Sequence, residues 1–265
     1  AFMAVIYGDI LCRCLYRVRP YEAEKGSADK LWEKWNTYLR EDLKHLSFSR
    51  YKKNIANIIK EFDELPVLDI VKPRVGIVGE ILVKYNPIAN NDVVGLVEAE
   101  GAEAVVPDLM GFIYFFCDHA NSRHELLTVS GKRHFLSNKA IQLFEWIEKP
   151  YWEAIKGTKF GEVMRISDMR KLVDGIVSTG NIAGEGWFLS AEMLELIHSG
   201  VTNIICMQPF ACLPNHVTGK GVIGELRRRN PNSNIIAVDY DPGASEVNQV
   251  NRIKLMLTQA MRKIK

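Results

Sequence analysis

The segment "NIICMQPFACLPNH", residues 203–216, carries the side chains of this sequence that are best suited to chemistry. It starts as a buried strand and then places Cys206, Cys212 and His216 among two prolines. A cysteine thiolate is a soft ligand for iron–sulfur clusters, zinc or copper(I), and it is also a nucleophile. Because the spacing of the two cysteines is looser than C-x2-C, a metal site and a buried cysteine that packs as a small hydrophobe remain equal alternatives.

The remaining cysteines are weaker candidates. Cys117 follows the apolar run "LMGFIYFF", which favours core packing, although it comes after a predicted strand and could reach the same edge of a sheet. Cys12 and Cys14 lie two residues apart on a predicted helix and therefore face different sides of it. We interpret this last pair as structural.

Two glycine-containing turns and several polar residues complete the set of candidate binding residues. "GIVGE" and "AGEGW" match neither the dinucleotide-binding nor the P-loop pattern. Glycines in front of a helix can present backbone N–H groups to an anion, but a plain turn is at least as good an interpretation. The candidates for contact with a cofactor are Gly79, Glu80, Gly184, Gly186, Gln208, Asn215 and His216.

These residues follow four predicted strands. After Pro73, the β-branched runs "RVGIVGEI", "AEAVVP", "VTNIIC" and "NIIAVDYDPG" alternate with helical segments. The alternation predicts an α/β fold, with a Rossmann-like or flavodoxin-like parallel sheet of about four strands flanked by helices. Ligands of such sheets bind outside the carboxyl ends of the strands. The unusual residues therefore fall on one edge, with Cys206 at the tip of the third strand.

The sequence before Pro73 is predicted to be helical, because apolar residues such as Trp35, Leu39, Ile55 and Ile59 recur at three- and four-residue steps. This divides the chain into a helical N-terminal segment, 1–72, that packs on a main α/β domain, 73–265. Within that domain, a mainly helical block extends from about residue 110 to 156.

Composition excludes several classes of protein. Hydrophobic residues make up 47% and charged residues 25% of the 265 residues, which is typical of a globular protein. A net charge of +2 argues against a nucleic-acid binder, and we find no apolar run that could span a bilayer. An odd number of cysteines without a signal peptide favours the reducing cytoplasm. The opening "AFMAVIYGDILCRCLYRVRPYE" is typical of the middle of a helix, so we expect a piece of a longer polypeptide.

Three long blocks carry a resemblance to a known family. They are "KPRVGIVGEILVKYNPIANNDVVGLVEAEGAEAVVPDLMGF", "IAGEGWFLSAEMLELIHSGVTNIICMQPFACLPNHVTGKG" and "NIIAVDYDPGASEVNQVNRIKLML". Over about residues 19–257 the chain resembles the acyl-CoA dehydratase activase-related proteins, which are related to the dehydratase component of 2-hydroxyacyl-CoA dehydratases.

The resemblance implies flavodoxin-like domains that hold a [4Fe–4S] cluster through cysteines of more than one domain. It also implies an ATP-hydrolysing activase region or subunit as partner and an acyl-CoA thioester as substrate. Cys206 matches the position of a cluster ligand in the relatives' second domain, Cys117 falls near another ligand region without matching it, and Cys212 is a feature of the activase-related branch. We expect Cys206 to be the principal ligand, with Cys212 and Cys117 in support. No segment here resembles the ATPase, and the preceding dehydratase-like domain is missing. We therefore expect no activity, and not necessarily an intact cluster, from the chain by itself.

Three functions remain open from the sequence. The first is an iron–sulfur-binding, electron-accepting domain of a dehydratase-like, low-potential reductase system. The second is a non-catalytic scaffold or docking domain of the same machine without its own cluster. The third is a zinc-binding or thiol-redox domain. The sequence does not fix the acyl-CoA substrate or distinguish a monomer from a homodimer.

Overall fold

In the computed structural model of the protein, residues 1–45, 47–127, 130–241, 243 and 245–263 are described. They group into a helical unit, Ala1–Ile70, Asp108–His124 and Thr128–Val163, and an α/β unit, Val71–Pro107, Glu125–Leu127 and Met164–Lys265. None of the helices in the described ranges is long and apolar enough to cross a membrane.

The first three helices precede all of the described strands, and the later helices lie between or after the strands. In chain order they are α1 Phe2–Val18, α2 Ser27–Asp42, α3 Phe48–Asp63, α4 Ile81–Tyr85, α5 Val93–Ala99, α6 Leu109–Leu127, α7 Gly131–Ile155, α8 Ile166–Leu172, α9 Gly186–His198, α10 Leu213–Thr218, α11 Ile223–Arg229 and α12 Glu246–Arg262. The strands are β1 Arg74–Gly79, β2 Glu103–Val105, β3 Asn203–Pro209 and β4 Asn234–Tyr240.

The α/β unit is built on an all-parallel sheet. Within the described residues it has four strands in the order β2-β1-β3-β4, which confirms the predicted α/β, Rossmann-like or flavodoxin-like fold. The central strands β1 and β3 are buried along almost their whole length, because helices cover both faces of the sheet. This burial explains why these strands are continuous apolar runs rather than alternating ones.

The order of the strands defines where a ligand would bind. The chain leaves β1 toward β2 on one side of the sheet, while β3 pairs with the other side of β1. The carboxyl ends of β1 and β3 therefore form the topological switch point, at which open α/β sheets bind their ligands.

The helical unit includes α6 and α7 as well as the N-terminal helices. The carboxylate of Asp9 on α1 accepts hydrogen bonds from the backbone N–H groups of Leu109 and Met110, both at 2.9 Å, and so caps α6. The hydroxyl of Tyr51 on α3 donates to the carbonyl of Ile147 on α7 at 3.0 Å. This division differs from the predicted one, since residues 108–163 group mainly with the N-terminal helices.

Candidate functional site at the carboxyl edge of the sheet

Gly79 brings the ends of β1 and β3 into close approach. Its φ is +144°, and a Cβ at this position would lie 1.8 Å from the carbonyl oxygen of Met207. Only glycine fits such a position. The next residue, Glu80, donates its backbone N–H to the same oxygen at 2.9 Å. The predicted candidate Gly79 is thus a close-packing residue at the switch point.

Glu80 begins the loop that leaves β1. Its carboxylate Oε2 accepts a hydrogen bond from the backbone N–H of Val83 at 2.9 Å, so that Glu80 is the N-cap of α4. This contact uses one oxygen of the carboxylate for a structural purpose. Glu80 nevertheless lies at the predicted edge, next to the loops that follow β3.

Glu185 is a central residue of the edge that the sequence did not single out. It is 5% exposed, and its Oε1 accepts from the backbone N–H of Ile81 at 3.1 Å. Burial raises the pKa of Glu185, although the hydrogen bond from Ile81 opposes the shift. The signal was present in "AGEGW", where a carboxylate stands between two glycines before a helix.

Asn215 on α10 is fully buried beside Glu185. In the orientation that satisfies both ends of its amide, the nitrogen donates to Glu185 Oε2 at 2.7 Å and the oxygen accepts from Glu80 N–H at 3.2 Å. Asn215 is therefore at the predicted site, as a connection between the β1 and β3 exits.

A second polar group lies between the ends of β3 and β4. The side-chain amide of Gln208 donates to Asp239 Oδ1 at 2.7 Å, and Lys220 Nζ lies 3.0 Å from Asp239 Oδ2. Burial acts to raise the pKa of Asp239, but these two hydrogen bonds outweigh it and hold the pKa below its usual range. The Oε1 atom of Gln208 is buried without a hydrogen-bond partner among the described residues.

His216 lies between the cysteine loop and Asp239. Its Nδ1 lies 2.8 Å from the carbonyl oxygen of Cys212, a contact that requires Nδ1 to carry the proton. Its Nε2 lies 4.0 Å from Asp239 Oδ1, beyond hydrogen-bonding distance. The arrangement orients the imidazole.

The sequence predicted Cys206 at the tip of the third strand. In the structure it lies inside that strand instead. β3 continues to Pro209, which places Cys206 in the middle of the sheet beside Val78 and Ala237. The side chain is fully buried, and a Cβ added at Gly219 would meet its Sγ at 3.1 Å. Burial raises the pKa of the Cys206 thiol to about 12, and nearby carboxylates act in the same direction. Such a thiol is poorly suited to metal ligation.

Cys212 is the more accessible cysteine of the α/β unit. It is partly exposed, follows Ala211 at a positive φ of 60°, and occupies the N-cap position of α10. Burial raises the pKa of its thiol, while the backbone N–H of Asn215 acts in the opposite direction. The sequence favoured Cys206 as the cysteine at this edge. In the structure, Cys212 lies near the edge and Cys206 is in the core.

Cys117 belongs to the helical unit, on α6. Its carbonyl oxygen accepts a hydrogen bond from the hydroxyl of Ser137 on α7. Burial raises the pKa of the Cys117 thiol, and the neighbouring Asp118 raises it further. The local environment of Cys117 is therefore that of a cysteine in packed helices, and its predicted role as a ligand stays a prediction.

The glycines before α9 form a turn in which some of the backbone N–H groups are already bonded. Gly184 and Gly186 have positive φ values of 56° and 47°. The N–H of Gly186 donates to Ala183 O at 3.0 Å and that of Trp187 to Asn181 O at 2.8 Å. A Cβ at Gly184 would lie 3.0 Å from Pro214 of α10. The turn interpretation fits these contacts better than an anion site does.

The described side chains do not form a complete ligand set for a metal or cluster. In the described parts of the chain, no three His, Cys, Asp or Glu residues are grouped so as to hold a metal ion. Within the α/β unit, Cys212 has the chemistry and exposure of a single ligand, whereas Cys206 does not. The fit to an iron–sulfur cluster is therefore partial.

Comparisons with known proteins add no assignment. No protein-family model matches the chain, and no curated protein and no solved structure matches it. The family named from the resemblance therefore stays a prediction.

Proposed function

We propose that the protein is a component of an ATP-driven, 2-hydroxyacyl-CoA dehydratase-like system, whose α/β unit contributes one thiolate to a [4Fe–4S] cluster. The observation that carries this proposal is Cys212, a partly exposed free thiol in the loop that leaves the central strand β3. Clusters are held by sets of cysteine thiolates, so the other ligands would come from outside this unit. When bound, the cluster supplies a one-electron carrier.

The residues around Cys212 would control its proton. The thiolate is the ligating form, and burial together with the carboxylates of Glu185 and Glu80 raises the pKa of the Cys212 thiol. The backbone N–H of Asn215 acts in the opposite direction. Ligation therefore requires a proton to leave Cys212, and binding should strengthen as the pH rises.

A metal-loading experiment tests the assignment of Cys212. The chain is produced anaerobically and reconstituted with ferrous iron and sulfide. Iron content and the EPR spectrum of the reduced sample are then compared among wild type, Cys212→Ala and the matched control Cys206→Ala. We expect Cys212→Ala to lose the iron and the signal, while Cys206→Ala keeps both because its sulfur is buried.

Three other outcomes would contradict the proposal. Equal iron in Cys212→Ala and wild type would remove Cys212 from the ligand set. Absence of iron from wild type, and from a longer protein that adds a preceding dehydratase-like domain, would favour a docking domain without a cluster. Zinc retained by wild type through purification and lost in Cys212→Ala would favour the zinc site.

We also propose that the protein works in the cytoplasm. All five cysteines are free thiols, which is the usual state of cysteines in a reducing compartment. A cysteine that releases its proton to bind iron needs such a compartment, because oxidation to a disulfide would remove the ligand. The acyl-CoA thioester remains the substrate we predict for the complete system.

A docking function is the second candidate, and one observation favours it. Three large apolar side chains at or near the Cys212 loop are exposed, Phe210 by 69%, Leu213 by 72% and Val217 by 50%. Exposed apolar groups gathered in one segment are typical of interaction sites. A partner that covers this loop would also cover Cys212.

The two functions respond differently to substitution. Phe210→Ser and Leu213→Ser should weaken binding of a purified activase, measured by isothermal titration calorimetry, under both functions. Cys212→Ala should leave that affinity unchanged if the protein only docks, and should reduce it if the cluster joins the two partners. Leu255→Ser on α12, with a side chain 65% exposed, is the matched control.

A further inference from the structure

One buried carboxylate connects three chain segments at the edge of the sheet. Glu185 is the N-cap residue of α9, and its Oε1 accepts from the backbone N–H of Ile81 at the start of α4. Its Oε2 lies 2.7 Å from the side-chain nitrogen of Asn215 on α10. Because Glu185 is only 5% exposed, water competes little for these bonds.

Asn215 completes the connection and is itself tied to the cysteine. Its amide oxygen accepts from Glu80 N–H at 3.2 Å, in a three-centre bond whose other acceptor is the Met207 carbonyl at 2.9 Å. Cys212 precedes α10 directly, and its carbonyl accepts from the backbone N–H of His216 at 2.9 Å and lies 2.8 Å from the imidazole. The first turn of α10 therefore moves together with Cys212.

We infer that Glu185 and Asn215 form a clamp that positions the Cys212 thiol by fastening α10 to the loop after β1. The contacts of both residues are with protein groups, Ile81, Glu80 and each other, so we assign both as positioning residues. The clamp deepens the proposed function, on which its relevance to a cluster rests. The clamp itself is a property of the folded chain and concerns only the position of the thiol.

The hydrogen bonds of the clamp have a fixed direction. Glu185 only accepts, whereas Asn215 donates to Glu185 and accepts from the backbone of Glu80. Glu185→Gln turns a donor toward the Asn215 donor, and Asn215→Asp sets two carboxylates against each other. In the double variant Glu185→Gln/Asn215→Asp, the introduced amide donates to the introduced carboxylate, and the backbone bonds of Ile81 and Glu80 are kept. The pair is thus swapped rather than removed.

Alkylation of Cys212 tests the clamp without any metal. The full chain is treated with iodoacetamide, and the rate constant of the Cys212 thiolate is extracted from the pH dependence by mass spectrometry of its peptide. We expect each single variant to raise this constant at least ~3-fold, the effect of losing about one net hydrogen bond. The swapped pair should return to the wild-type value. Asn91→Asp, which alters a side-chain bond from Asn91 to Gln249 elsewhere in the unit, should change nothing.

Two results would overturn the clamp. One is a thiolate rate constant unchanged in both single variants while circular dichroism shows them folded. The other is a folded double variant that reacts as fast as the single ones. Should a single variant not fold, hydrogen exchange of wild type decides. The backbone N–H of Gly219 donates to the carbonyl of Asn215 at 2.9 Å, and that of Ile81 donates to Glu185. The clamp requires these two amides to exchange together, and faster exchange at Gly219 rejects it. If the alkylation test rejects the clamp but Cys212 still binds iron, the proposed function is retained. If the alkylation test supports the clamp but Cys212 does not bind iron, the clamp is retained and the proposed function is rejected.

Discussion

At the scale of single residues, Cys206 and Cys212 show what decides whether a cysteine can act as a ligand. Both follow an apolar run, and both are near a proline. The strand continues three residues past Cys206, and helices cover both faces of the sheet, so its sulfur lies in the core. Cys212 lies beyond the strand, where the chain turns through a positive φ at Ala211. The difference in exposure comes from where the strand ends.

Gly79 provides a stability prediction at this scale. In Gly79→Ala the added methyl group would collide with the backbone of Met207 at 1.8 Å, and the φ of +144° is unfavourable for alanine. We expect a loss of at least ~2 kcal/mol in the free energy of unfolding, measured by urea denaturation. Gly224→Ala is the matched control, because nothing lies within 4 Å of its added carbon inside α11. It should stabilise by up to ~1 kcal/mol, and a Gly79→Ala variant as stable as this control would refute the close approach.

At the scale of helices and strands, the sequence predicted the strands of the sheet, but it did not predict how the helices pack against one another. β-branched runs between turn residues marked all four strands, and the rule for parallel sheets located the edge. The periodicity of α6 and α7 showed that they are helices but not which helices they pack against. The sequence did not indicate a role for Glu185 for a similar reason, because its hydrogen-bond partners Ile81 and Asn215 are distant in sequence. Long-range pairing of polar groups has no local signal.

The ion pair between α4 and α9 provides a prediction at this scale. Lys84 Nζ lies 2.6 Å from Glu192 Oε1, and their side chains are 4% and 2% exposed. Lys84→Met should lower the free energy of unfolding by about 3–5 kcal/mol, because the Glu192 charge loses this partner in the core. Lys84→Met/Glu192→Leu should recover most of the loss. The control is Lys254→Met, which breaks an exposed pair with Glu100 at 2.8 Å and should cost at most ~1 kcal/mol.

A result in urea denaturation would decide whether the buried pair has this role. If Lys84→Met cost no more than Lys254→Met, the charge of Glu192 would be satisfied without Lys84. If the double variant were less stable than Lys84→Met, α4 and α9 would need the ionic contact itself rather than a filled volume. Either result would contradict the role proposed for the Lys84–Glu192 pair.

At the scale of the whole molecule, the two units carry their buried charges differently. In the α/β unit, the buried Lys84 pairs one to one with the buried Glu192. In the helical unit, Arg13 binds Asp108 through two contacts, at 3.1 and 2.9 Å, while Asp9 and Glu148 are buried close by. Burial raises the pKa of Asp9, and the charge of Asp108 raises it further. The helical unit therefore buries three carboxyl groups, those of Asp9, Asp108 and Glu148, near the guanidinium of Arg13.

Glu148 provides a prediction about the pH dependence of stability. It is 1% exposed, and its Oε2 accepts from the Tyr114 hydroxyl at 2.6 Å. Burial raises its pKa from 4.5 to about 7, so between these values the folded state binds more protons than the unfolded state does. Stability should fall as the pH rises through this range, by roughly 3 kcal/mol for Glu148 alone. Melting temperatures from pH 5 to pH 8 should decline in wild type and decline less in Glu148→Gln, which stays neutral. The control is Glu153→Gln on the same helix, with a Glu153 side chain 67% exposed, and its melting temperatures should follow those of wild type. If the melting temperatures of all three proteins declined in parallel, Glu148 would not be the group that takes up the proton.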